Sequence, residues 1–137
     1  MRSTIFSLPL VAALLSTLVG CAAKPLVSGK VITGSIDFIG VVDKSDERLA
    51  KEGIPDVTVR ALANPGTSPV RIGTVSSDAK GDFGLSITDQ NSLIRSVRFE
   101  AEKPGYLPAG GTMNIPPSDK RLLIIMRPSG VPASSGK

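Results

Sequence analysis

The feature that most restricts this chain is a repeated two-residue alternation, broken at short intervals by glycine and proline. In "IPDVTVRALA" the apolar residues Val57, Val59 and Ala61 point one way, and Asp56, Thr58 and Arg60 the other. "GDFGLSIT" repeats the pattern with Phe83, Leu85 and Ile87, and "SVRFEAEK" with Val97, Phe99 and Ala101 set against Arg98, Glu100 and Glu102. Side chains of a strand point to alternate faces, so each run describes a ribbon with one apolar face to bury. "VITGSIDFIGVV" reads as one long strand with Ile32, Ile36 and Phe38 on a common face, and "VRIGTVSSD" as a short one. "KRLLIIMR" is apolar without alternation, as expected of a strand covered on both faces. Between them, "KSDERLAKEG" is a charged connection with room for one helical turn. Asp78-Ala79-Lys80-Gly81 reads as a turn, with Gly81 able to take positive φ, and Pro104-Gly105 suits the centre of a type II turn. Long helix-period stretches are missing, and turn signals recur about every 8–15 residues. These features predict an all-β fold, a single β-sandwich of about seven strands. Its core would be Val, Ile, Leu and the three rings Phe38, Phe83 and Phe99. A chain of 137 residues has length for one such domain.

The first 20 residues do not belong to this pattern. Arg2 precedes an apolar stretch from Ile5 to Val19, interrupted by Ser7, Pro9, Ser16 and Thr17. It is shorter than the roughly 20 apolar residues that span a bilayer and has the length of the apolar region of an export signal. It ends in Leu18, Val19, Gly20 and Cys21, the last being the only cysteine. This tetrad resembles the lipobox of bacterial lipoproteins: Leu, an apolar residue, a small residue, then Cys. The resemblance implies cleavage between Gly20 and Cys21, a diacylglycerol on the Cys21 sulfur, and acylation of the new amine. Several acyl chains hold a protein stably at a membrane, since each buried methylene contributes about 0.8 kcal/mol. Ala22 stands where Asp would signal inner-membrane retention in Gram-negative lipoproteins, so the expected location is the outer membrane, facing the periplasm or the exterior. The expected organisation is a cleavable signal over 1–20, a lipidated tether over 21–29, the sandwich over 30–127 and a disordered Pro/Gly/Ser-rich tail over 128–137.

Three segments in order, "GIPDVTVRAL", "TVSSDAKGDFGL" and "VRFEAEKPGY", resemble a carboxypeptidase regulatory-like domain of the transthyretin-like, or prealbumin-like, group. Gly53, Pro55, Val57 and Val59 match its second element. Thr74, Ser76 or Ser77, Asp78, Gly81, Phe83 and Leu85 match the third, and Gly105 and Tyr106 the last. The resemblance implies a Greek-key sandwich. The residues themselves give the third element a folding role. Asp78 accepts hydrogen bonds from N–H groups two or three residues on, Gly81 closes the turn, and Phe83 enters the core. Calcium ligation by Asp78 and Asp82 is disfavoured, because a calcium ion takes six or more oxygens and this loop offers few. Tyr106 is the candidate ligand contact. Its ring could serve as a sugar platform, but after Pro-Gly it is read first as a plug at the end of the sandwich.

Composition narrows the function. There is no histidine, which removes the commonest neutral-pH general base and zinc ligand. Cys21 is consumed by lipid, and Ser76-Ser77 beside Lys80 reads as a solvated turn, not a catalytic pair. Lys30 could begin an intramolecular isopeptide crosslink, but "RLLIIM" has no Asn or Asp to complete one. The net charge of +4 comes from interspersed signs, not from a nucleic-acid-binding patch. No catalysis, metal or cofactor is expected. The expected role is a membrane-anchored interaction or structural module with a protein partner. The alternative is a carbohydrate- or cell-wall-binding domain.

Overall fold

The computed structural model describes residues 26–63, 66, 68–87 and 96–130. The expected signal segment over 1–20, with Leu18, Val19 and Gly20, the expected lipid site Cys21, and residues 131–137 of the expected tail lie outside them.

Eight strands follow one another: β1 Leu26–Thr33, β2 Phe38–Asp43, β3 Thr58–Ala63, β4 Val70–Ser76, β5 Asp82–Ser86, β6 Val97–Glu102, β7 Ala109–Met113 and β8 Lys120–Met126. One 3-10 turn, Glu47–Ala50, lies between β2 and β3. The strands form two four-stranded sheets, ordered β2-β8-β1-β5 and β4-β3-β6-β7. β1 and β8 run parallel, and the other neighbours are antiparallel. The all-β sandwich expected from the alternation is therefore present.

Alternation decides what fills the space between the sheets. Val57, Val59, Ala61, Leu85, Ile87, Val97, Phe99 and Ala101 are completely buried there, and Phe83 nearly so. β8 is buried on both faces. Leu122, Ile124 and Met126 enter the main core, while Leu123 and Ile125 join a second cluster with Ile32, Val42 and Leu49 on the outside of the first sheet. The 3-10 turn supplies Leu49 to that cluster and so covers the outer face. This explains why the segment is continuously apolar.

Five expectations are corrected. The run 31–42 is two strands. β1 ends at Thr33, and the chain crosses the end of β8 to return as β2 on its far side, pairing Phe38 with Ile125. Ile36 falls in that crossing and is 58% exposed. Phe38 is half-buried against the second cluster, not in the inter-sheet core, because it shares the outer face with Ile125. The tether does not reach residue 29, since Leu26 already pairs with Ser86 of β5. An eighth strand arises at "AGGTM", where two glycines hide the alternation and pairing with β6 supplies the order. The sandwich does not stop at residue 127: Pro128 bridges to Tyr106, and the Ser129 N–H donates to the Gly105 carbonyl.

Candidate functional site

The Asp78 turn is built as a folding device. The Asp78 carboxylate accepts from the N–H of Lys80 at 2.9 Å and of Asp82 at 3.0 Å, two and four residues on. The Gly81 N–H donates to the Asp78 carbonyl, and Gly81 has φ of 81°. Its position demands glycine for a second reason. Its carbonyl accepts from the Val31 N–H, and a Cβ on it would lie 2.6 Å from both the Val31 oxygen and the Gly53 Cα. Two glycines from distant segments thus pack backbone against backbone. Asp82 spends its carboxylate on Arg121 at 3.0 Å, so both acids of the turn are engaged by N–H groups. Among the described residues, no three His, Cys, Asp or Glu side chains group together to hold a metal.

Ser76 and Ser77 part company. Ser76 is exposed, as expected of a turn hydroxyl. Ser77 is buried, against the solvated reading, because its hydroxyl adds side-chain hydrogen bonds to the backbone pairing it already makes with Asp56 and Val57. It donates to the Ile54 carbonyl at 2.7 Å and accepts from the Val57 N–H at 2.9 Å. Lys30 is also buried, on the outer side of β1 in register with Asp82 of β5 and Leu123 of β8.

Tyr106 is both plug and groove wall. The type II turn expected at Pro104-Gly105 forms, with Gly105 at φ of 89° and the Tyr106 N–H donating to the Lys103 carbonyl at 3.1 Å. The half-buried ring packs against the main core. It also borders a shallow depression of about 450 Å³ on the outside of the second sheet, with Thr58, Arg60, Glu102 and Pro108. A second depression of about 240 Å³ adjoins it, sharing Arg60, Glu102 and Pro108 and extending to Arg98, Glu100 and Gly110. The outward residues of β3 and β6 make the floor. Arg60 pairs with Glu102 at 2.7 Å, and Arg98 with Glu100 at 3.0 Å. Arg98 lies flat across β7, where a Cβ on Gly110 would come 2.5 Å from its guanidinium. These pairs are solvated and contribute little to stability. Chemically the groove offers planar donors, carboxylate acceptors and one aromatic edge. That set suits a polar, hydroxyl-rich or peptide ligand. The outward Arg98, Glu100 and Glu102 were legible in the sequence. Their meeting with Arg60 and Tyr106 was not, because strand order alone brings β3 beside β6.

No protein-family model, no curated protein and no solved structure matches the chain.

Proposed function

We propose that this chain is an exported lipoprotein, anchored through acyl chains on Cys21, whose transthyretin-like sandwich is a non-catalytic interaction module at the outer membrane. The observation that carries the proposal is the Leu18-Val19-Gly20-Cys21 tetrad, placed at the end of a short apolar segment and just ahead of a folded body. The two packed sheets, and the turn built on Asp78, Gly81 and Phe83, support the carboxypeptidase regulatory-like reading. Cys21→Ser tests the anchor. It should release the protein from membranes or leave the signal uncleaved, read by fractionation and by mass spectrometry of the N-terminus. Wild-type processing and membrane association in that variant would refute it.

A second reading, a glycan- or cell-wall-binding domain, is favoured by the groove beside Tyr106. Aromatic faces carry much of the contact in sugar sites. Tyr106→Ala should then abolish retention on isolated cell-wall polysaccharide while leaving the fold intact by circular dichroism. Unchanged retention, together with crosslinking to a membrane protein in cells, assigns the surface to a protein partner instead.

A further inference from the structure

β1 begins at Leu26, so only residues 22–25 separate the first strand from Cys21. Five Cα–Cα steps reach at most about 18 Å when fully extended. β1 itself, at eight residues, is about 25 Å long. An acylated Cys21 therefore keeps one end of the sandwich close to the bilayer, and the surface of that end matters.

Among the described residues, that end carries two exposed large apolar side chains. Leu26 is 56% exposed and Val70 is 53% exposed. They open β1 and β4, which belong to different sheets and each run beside β5, so that both residues lie at the same end of the sandwich. Leu26 pairs with Ser86 of β5. Gly73 of β4 runs so close to β5 that a Cβ on it would lie 2.6 Å from the Ser86 carbonyl oxygen. Arg71, also exposed, follows Val70 and adds a cation suited to anionic lipid headgroups. Ile36 lies beyond Thr33 at the other end of β1. Tyr106 and its groove also lie at that other end, since β6 runs from Val97, in register with Ala63, toward Glu102 and the Pro104-Gly105 turn.

We infer that the corner formed by Leu26, Val70 and Arg71 rests on the lipid surface, so that the Tyr106 groove faces away from the membrane. This rests on the anchor reading, because the short tether supplies the proximity and the apolar corner supplies the orientation. The partner is a phospholipid headgroup layer.

The test uses the mature lipoprotein, whose sole native cysteine is blocked by lipid. Leu26→Cys, Val70→Cys and Ile36→Cys, each at an exposed site, accept a nitrobenzoxadiazole label singly. The labelled proteins are reconstituted in phosphatidylethanolamine–phosphatidylglycerol vesicles with headgroup-linked spin labels. Labels at 26 and 70 should be quenched severalfold more than the label at 36. Equal quenching at all three positions, in protein whose N-terminal mass shows acylation and which floats with the vesicles, overturns the orientation alone. Protein lacking the acyl mass and failing to float overturns the anchor and the orientation with it.

Discussion

At the scale of single residues, the best-determined point is Ser77. Its hydroxyl joins the carbonyl of Ile54 to the N–H of Val57, while its own N–H donates to the Val57 carbonyl and its carbonyl accepts from Asp56. That clamp holds Asp56 at φ of 58°, a left-handed conformation few non-glycine residues adopt. Ser77→Ala would leave a buried donor and a buried acceptor unpaired and should cost about 1–3 kcal/mol. Ser76→Ala, one residue away and exposed, should stay within about 0.5 kcal/mol. Urea denaturation of the two variants reads the difference directly. Equal midpoints would mean that the clamp contributes nothing.

At the scale of elements, the 3-10 turn over Glu47–Ala50 turns a bare sheet face into a second core. Asp46 caps it, accepting from the Arg48 N–H at 3.0 Å and from the Arg48 guanidinium at 2.8 Å. Arg48 in turn lies 5.7 Å over the Phe38 ring, and Leu49 fills the cluster behind. The Arg48 side chain, and after it the Arg48 backbone N–H, lower the Asp46 pKa from 3.8 to about 2. Folding thus favours the charged carboxylate. The cap's contribution is present in full above the unfolded value near 4 and is lost as pH falls toward 2. Asp46→Asn removes that titration. Between roughly pH 4 and pH 2 its stability should fall less steeply than that of the wild type. Parallel acid-limb curves, from denaturant midpoints measured at stepped pH, would count against the cap.

At the scale of the molecule, the parallel β1–β8 pair ties the first strand of the sandwich to the last. β8 sits between β1 and β2, so the first sheet and the core are incomplete until β8 arrives. Removing residues 120–137 would expose Ile32, Val31 and Ile39 together, leave β2 without a ladder and leave β1 paired only with β5. Such a chain should lose cooperative thermal unfolding altogether, whereas ending at residue 130 should preserve it. A sharp transition in the shorter form would show that the second sheet folds alone. The same topology sets the two ends of the sandwich apart, one carrying the chain toward Cys21 and the other carrying the Tyr106 groove.

Local chemistry alone determined much of this. The alternating runs at 57–61, 83–87 and 97–101 mark their inward faces, because a strand's period of two does not depend on its neighbours. The Asp78–Gly81 and Pro104-Gly105 turns follow from residues that set their own backbone angles. Tertiary structure decided the rest. "AGGTM" became a strand only because β6 offered it a partner. Phe38 moved to an outer cluster because a crossing at 34–37 changed its face, and Ser77 rather than Ser76 became the buried hydroxyl because β3 enters beside it. The groove and the apolar corner join residues far apart in the chain. Side-chain periodicity says which way each residue points along its own strand, but only the order of strands says what it will meet.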